Sequence, residues 1–197
     1  MVDQHVLIRQ MKEYAEKNNV PIMADDGIDF LTTFILKKHV TNILEIGTAI
    51  GYSAIKMALV DPNVKITTIE RDEARYMEAL KNVKALGLED RITLIFHDAL
   101  EVKLDDSFDL IFIDAAKAQN TRFFEMFEGN LAPGGAIITD NLKFHGLVEK
   151  KEEEIKSKNL RGLVRKIKDY ITFLKTNSVY HTEFYDIGDG ISVSTRK

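Results

Sequence analysis

Residues 44–53 read Leu44-Glu45-Ile46-Gly47-Thr48-Ala49-Ile50-Gly51-Tyr52-Ser53. An apolar run of strand length, Asn42 to Ile46, enters this stretch and a helix-length run, Tyr52 to Val60, leaves it, so the two glycines mark a tight βα turn. The spacing is E-x-G-x-x-x-G. A dinucleotide-binding turn uses G-x-G-x-x-G to bring backbone amides onto a pyrophosphate, and Glu45 stands where its first glycine belongs. A carboxylate there disfavours a phosphate and favours a cation. S-adenosylmethionine, with an ammonium, a sulfonium and no phosphate, is such a ligand. The plainer alternative is a pair of glycines that does no more than close the turn.

The same strand-then-helix rhythm continues on both sides. Strands are predicted at Val64 to Glu70, Ile92 to Asp98, Phe108 to Asp114 and Ala136 to Asp140, with helices at Glu73 to Leu86 and Asn120 to Asn130. Near-continuous apolar runs such as Phe108-Asp109-Leu110-Ile111-Phe112-Ile113 suit strands covered on both faces, which predicts a doubly wound, mostly parallel sheet. Tyr180 to Ile187 and Ile191 to Thr195 flank Gly188-Asp189-Gly190 and predict an antiparallel hairpin, bringing the sheet to seven strands. Two further helices, Gln4 to Asn18 and Gly27 to Lys38, precede the first strand, separated by Val20-Pro21-Ile22-Met23. The chain of 197 residues, 45% hydrophobic and 29% charged, suits one α/β domain. Within it we expect N-terminal helices at 1–40, a cofactor- and metal-binding core at 41–141, and acceptor-side helices with the hairpin at 142–197.

Composition narrows the chemistry. With no cysteine, disulfides, thiolate metal sites and cysteine nucleophiles are excluded, so any metal is held by oxygen or imidazole. No apolar run reaches the roughly 20 residues of a membrane helix, and the start Met1-Val2-Asp3-Gln4-His5 lacks the features of a leader, so a cytoplasmic protein is expected. The net charge of −4 gives no global reason to invoke nucleic acid.

In such a sheet ligands bind at the carboxyl ends of the strands, where the chain order reverses. Strand two ends in Ile69-Glu70-Arg71, which places Glu70 to accept both ribose hydroxyls. Strand three ends in His97-Asp98-Ala99-Leu100, where Asp98 can receive an adenine amino group beside the small Ala99, or serve as an N-cap. Strands four and five end in Ile113-Asp114-Ala115-Ala116-Lys117 and Thr139-Asp140-Asn141. If the two are neighbours, Asp114, Asp140 and Asn141 converge as three hard oxygen donors suited to Mg²⁺, with Mn²⁺ or Ca²⁺ as alternatives. Lys117 lies within reach of the same cavity, placed to take or steer a proton. Each residue also has a plain role, as turn former or solvated surface charge; their convergence carries the functional reading.

Glu45-x-Gly47-x-x-x-Gly51-Tyr52-Ser53, Glu70, Asp114-x-x-Lys117, Asp140-Asn141 and Gly188-Asp189-Gly190-Ile191 together resemble the metal-dependent O-methyltransferases related to the catechol and caffeoyl-CoA enzymes. The resemblance covers nearly the whole chain. It implies a Rossmann-like class I methyltransferase fold, with Asp114, Asp140 and Asn141 on a divalent metal and Asp114 and Lys117 as catalytic residues. It also implies S-adenosylmethionine held by Met23, Glu45, Gly47, Ser53, Glu70, Asp98, Ala99 and Asp114, and a homodimer. Val20-Pro21-Ile22-Met23, Leu44 to Ile55 and Phe112 to Lys117 look most like the bacterial branch that methylates 5-hydroxyuridine at the tRNA wobble position. Ala116 stands where the plant members carry a second acid, so their cofactor contact from that position does not transfer. The chain also starts later than many relatives, and a helix that helps cover the site or build the dimer is expected to be missing.

A tRNA partner requires positive surface, and residues 143–175 carry ten Lys or Arg against five Asp or Glu. Arg161, Arg165 and Lys168 fall on one helical face, with Leu163, Ile167 and Leu174 on the core side, and are the candidate RNA contacts; a merely solvated face is the plain alternative. Phe144 and Tyr52 are aromatics near the mouth of the site, while His145, a lone histidine in a loop, stays outside the set. Two other readings remain open: an O-methyltransferase for a small catechol-like molecule, and a non-catalytic nucleotide- or RNA-binding module on the same fold.

Overall fold

A computed structural model describes residues 3–197 of the chain. Its elements follow the order α1 (Gln4–Lys17), α2 (Asp25–Lys38), β1 (Asn42–Ile46), α3 (Tyr52–Ala58), β2 (Lys65–Glu70), α4 (Glu73–Ala85), β3 (Ile92–Phe96), β4 (Phe108–Ile113), α5 (Asn120–Phe127), β5 (Leu131–Thr139), α6 (Lys158–Thr176), β6 (Tyr180–Tyr185) and β7 (Ile191–Arg196). One seven-stranded sheet runs β3-β2-β1-β4-β5-β7-β6. The first five strands pair in parallel, and β7 is antiparallel to both β5 and β6. The predicted doubly wound sheet with a closing hairpin is the observed one. Among the described residues no helix is long and apolar enough to cross a membrane.

Alternation along the strands divides the core. Ile43, Leu110, Phe112 and Ile138 face α1, α2 and α3, while Leu44, Ile46, Ile111, Ile113 and Ile137 face α5 and α6. Burial on both faces explains why these strands read as unbroken apolar runs. β5 begins at Leu131, earlier than the predicted Ala136. Pro133, Gly134 and Gly135 bulge out, and the register slips between Phe108↔Leu131 and Leu110↔Ala136. Gly135 passes so close to β4 that a Cβ would stand 2.8 Å from the Asp109 carbonyl oxygen.

Asp109 also secures the start of β1. Its Oδ2 accepts from the Thr41 N–H, the Thr41 hydroxyl and the Asn42 N–H, each at 2.9 Å. These bonds help set the β1–β4 register that brings the two functional strand ends level. Asp109→Ala is expected to cost about 2–3 kcal/mol, the range for hydrogen bonds to a charged acceptor, as a lower urea midpoint with an unchanged m-value.

The order of the chain reverses between β1 and β4, and the hydrogen-bond ladder runs one residue beyond the strand ends. Gly47 N–H donates to Ile69 C=O at 3.0 Å, Asp114 N–H to Ile46 C=O at 3.0 Å and Asp140 N–H to Ile113 C=O at 3.2 Å. The residues that follow each strand are therefore fixed by backbone pairing and lie together on one rim of the sheet.

Candidate active site

A cleft of about 400 Å³ opens at this rim. Gly47, Thr48 and Ala49 form its floor, Glu70, Asp98 and Ala99 one end, and Asp114, Lys117 and Asn141 the other, with Pro21, Ile22 and Met23 contributing from the segment between α1 and α2. Gly47 adopts φ +101° and Gly51 +82°, conformations open to glycine at little cost. The predicted tight βα turn is thus present, and its end caps α3.

Glu70, at the tip of β2, is held rigidly. Its Oε2 accepts the Ala49 N–H at 2.8 Å, and its Oε1 accepts the N–H groups of Arg71 and Asp72 at 2.9 Å. Carboxylate oxygens have further lone pairs, so a diol can still be received at the cleft surface. Asp98 serves as the N-cap of a one-turn helix, accepting the Leu100 N–H at 3.0 Å, and also stands at the cleft. That N–H bond, joined by the Arg71 guanidinium at 3.2 Å, holds its carboxyl below the usual range.

Glu45 is placed differently from a residue that touches a ligand. It is fully buried behind the cleft wall, on the side of the sheet that packs α3. Its oxygens accept from Ser53 Oγ and Thr68 Oγ1, both at 2.5 Å, and Thr68 Oγ1 lies 2.6 Å from Thr48 Oγ1. Burial, with the negative charges of Asp114 and Glu70 nearby, pushes the Glu45 carboxyl up to about 8 against the pull of the two hydroxyls. Ser53 and Thr48 do line the cleft, so Glu45 reaches it only through hydroxyl groups.

At the other end the neighbouring strands β4 and β5 bring Asp114, Asp140 and Asn141 together, as the sequence predicts. Lys117 Nζ donates to Asp114 Oδ1 at 2.5 Å. Asn141 Nδ2 lies 3.3 Å from that oxygen and 3.2 Å from Asp140 Oδ2, and Asn141 has a left-handed backbone, φ 68°. Asp140 is 4% exposed, and burial followed by the charge of Asp114 raises its carboxyl to about 7. Lys117 pairs with Asp114, and Asp140 beside that pair feels the ammonium only at longer range, so the acids outnumber the cation. An oxygen-only donor set with that excess suits a hard divalent cation, and turning the Asn141 amide over would supply its oxygen as the third donor. Among the described residues no third carboxylate or imidazole completes a cluster.

Arg161, Arg165 and Lys168 lie on α6 as predicted, but their charged ends are engaged within the chain. Arg161 donates to the carbonyls of Ile155 and Lys156, Arg165 pairs with Glu152, and Lys168 donates to the Lys150 carbonyl. They hold residues 150–156 against the helix. On the core side Ile167 and Leu174 are buried, and Val164 takes the place expected of Leu163. His145, left out by sequence reasoning, lines the cleft beside Phe144. Its placement depends on a contact 44 residues away in the chain, which no local pattern announces.

The sequence pattern of the family described as O-methyltransferase matches residues 1–197. The crystal structure of a candidate caffeoyl-CoA O-methyltransferase from Staphylococcus aureus is 39% identical and superposes with a TM-score of 0.91, over 96% of this chain and 92% of that one. An O-methyltransferase from Bacillus cereus, crystallised with SAH, has a TM-score of 0.83 at 24% identity, over 100% of this chain and 93% of that one. Caffeoyl-CoA O-methyltransferase from Populus kitakamiensis is 28% identical over 193 residues, 94% of this chain and 82% of the relative. A match over the full length, on a sheet whose switch point carries the acid and lysine constellation, shows that the chain belongs to the O-methyltransferase family.

Proposed function

We propose that the protein transfers a methyl group from S-adenosylmethionine to an oxygen of a planar acceptor with two adjacent oxygens, and that this acceptor is 5-hydroxyuridine at the wobble position of tRNA. The observation that carries the reading is the meeting of Asp114, Lys117, Asp140 and Asn141 at neighbouring strand ends, directly beside the Gly47 turn. S-adenosylmethionine supplies an electrophilic methyl on a sulfonium, which needs only an aligned nucleophile. A divalent ion held by Asp114, Asp140 and Asn141 would supply charge that favours the ionised acceptor hydroxyl and a second point of attachment for the adjacent oxygen.

The chain's own groups do the rest. Glu70 receives the ribose hydroxyls, and Asp98 with Ala99 bounds the adenine end. Lys117, anchored on Asp114, takes or steers the acceptor proton. Support for an RNA acceptor comes from the resemblance of residues 20–23, 44–55 and 112–117 to the bacterial tRNA branch, from Ala116, and from the basic segment after the site. Because Arg161, Arg165 and Lys168 are engaged in holding residues 150–156, the exposed Lys150, Lys151 and Lys156 on that segment are the groups that face phosphates. The named relatives favour a second reading, a caffeoyl-type or catechol-like acceptor, which shares the same cofactor and proton machinery. We further propose a homodimer acting in the cytoplasm.

The decisive experiment offers labelled S-adenosylmethionine with Mg²⁺ to hydroxyuridine-containing tRNA and, separately, to catechol and caffeoyl-CoA. Label in tRNA supports the first reading; label only in the small acceptors replaces it with the second. Asp140→Ala is expected to lose at least ~10²-fold in turnover while binding S-adenosylmethionine within threefold of wild type by calorimetry. Chelation should abolish wild-type turnover and Mg²⁺ restore it. Retained turnover in that variant, or in chelator, removes the metal from the mechanism.

A further inference from the structure

Between Lys158 and Thr176, α6 carries six lysines and arginines against one aspartate, so the helix does not neutralise its own charge. Three of those cations, Arg161, Arg165 and Lys168, recur at i, i+4 and i+7 and form one stripe. The stripe spans about 10 Å of helix axis, the rise of about three nucleotides along one strand of a duplex. Residues 150–156 lie along it in the opposite direction. Lys168 Nζ donates to the Lys150 C=O at 3.2 Å, Arg165 pairs with the Glu152 carboxylate, and Arg161 donates to the C=O groups of Ile155 at 2.7 Å and Lys156 at 3.2 Å. As the residue number falls along the helix it rises along the partner, so this strap retraces the stripe cation by cation.

Little else holds the strap. Of residues 150–156 only Ile155 is buried. The single turn Glu152–Glu154 is closed by bonds of its own, Lys151 N–H donating to Glu154 Oε2 at 2.8 Å and Glu154 N–H to the Lys151 C=O at 3.1 Å, none of which involves α6. The Arg165 and Glu152 side chains are 66% and 54% exposed, and a pair so open to water holds weakly. Arg161 and Lys168 receive only neutral carbonyl oxygens from the strap. A phosphodiester offers each of the three cations a full negative charge, and it offers the guanidinium forks two oxygens at once. The strap is therefore the weaker of two sets of partners for one stripe. It begins shortly after His145, which lines the cleft, so the stripe is tied to the mouth of the site by a short run of chain.

We propose that residues 150–156 stand in for an RNA backbone, covering the α6 stripe in the free protein and yielding it to the phosphates of the RNA that carries the acceptor. The proposal rests on the RNA reading above and names the surface that holds this partner. The exposed Lys150, Lys151 and Lys156 meet the phosphates first, and exchange of the strap then frees Arg161, Arg165 and Lys168. A covered stripe also discriminates. A stray anion must displace the strap in return for one contact, whereas a folded stem-loop fills the whole stripe.

The probe is an anticodon stem-loop bearing 5-hydroxyuridine, with its Kd followed between about 50 and 200 mM salt. Because the chain has no cysteine, spin labels on Glu153→Cys and Asp169→Cys report the separation of strap and helix directly. Binding of the stem-loop should lengthen that separation. Glu152→Gln should tighten Kd at least threefold, whereas Glu153→Gln, the same change of charge one residue along, should shift it less than twofold. Arg165→Gln should weaken Kd about tenfold and reduce the slope of log K against log salt by about 0.7–0.9, the share of one phosphate contact. An arginine that merely holds the strap would leave the slope where it was. An unchanged slope in Arg165→Gln, equal tightening in the two glutamate variants, or an unchanged label separation in the bound complex each overturns the proposal. Methyl transfer from labelled S-adenosylmethionine to the same stem-loop separates the two readings. Transfer with a closed strap removes the strap alone, and an open strap without transfer supports the strap and removes the acceptor. Wild-type protein that neither binds nor methylates the stem-loop removes both.

Discussion

Gly47→Ala should leave less than 1% of wild-type methyl transfer and lower stability by about 2–4 kcal/mol, the sum of a strained backbone and an overpacked contact. A Cβ at this position would lie 2.3 Å from the Asp114 carbonyl oxygen, 2.8 Å from its carbonyl carbon and 3.0 Å from Ala115 Cα. All three are backbone atoms of the adjacent strand end, so no side chain can swing aside. Relief requires separating the ends of β1 and β4, and that moves the floor of the cofactor cradle and the Asp114–Lys117 pair at once. Gly51→Ala is the control. It shares the left-handed backbone, at φ +82°, yet its nearest contact would be Ala79 Cβ at 3.4 Å. It should therefore lose only about 1 kcal/mol and keep most of its turnover. Equal losses in the two variants, by calorimetry and by methyl-transfer assay, would show that backbone strain alone matters and that the contact with Asp114 does not.

This coupling of two strand ends through one glycine also explains why so much of the site is legible in sequence. Residues immediately after a parallel strand are placed by the ladder itself, as the bonds of Gly47, Asp114 and Asp140 to the neighbouring strand show. Finding the strands therefore finds Glu70, Asp98, Asp114, Asp140 and Asn141. What escapes is set by contacts between distant segments. Glu45 reads as a ligand-facing acid from its place in the motif, but strand alternation turns it towards α3, where Ser53 and Thr68 enclose it. The basic face of α6 reads as free for RNA because nothing local reveals that Glu152 and the carbonyls of residues 150, 155 and 156 receive its charges. The early start of β5 is hidden by Pro133, Gly134 and Gly135, which signal a break and in fact form a bulge within a continuing strand. His145 is placed by Asp189 and by nothing in its own neighbourhood.

The buried Glu45 leads to the second large effect, a ligand-free protein that becomes less stable as pH rises from about 5 to 8. The unfolded chain ionises this carboxyl near 4.5, whereas in the fold burial holds it protonated up to about 8. Folding then takes up a proton throughout that interval. The contribution is complete below about 4.5 and is lost as pH climbs through 8, at up to about 1.4 kcal/mol per pH unit, on the order of 5 kcal/mol in all. Asp140, raised from 3.8 to about 7 by burial and by Asp114, acts in the same direction. Glu45→Gln should flatten the larger part of the slope, leaving the share due to Asp140, and at pH 8 the variant should melt roughly 10 °C above wild type. A cationic ligand in the cleft is expected to reverse the balance by favouring the ionised carboxylate, to which Ser53 and Thr68 already donate. Binding of S-adenosylmethionine near pH 6.5 should accordingly release protons from wild type and measurably fewer from Glu45→Gln, read by calorimetry in buffers of different ionisation heat. A ligand-free wild type that is more stable at pH 8 than at pH 5 would mean that Glu45 is charged in the fold, and the hydroxyl relay through Ser53 would then have no proton to exchange.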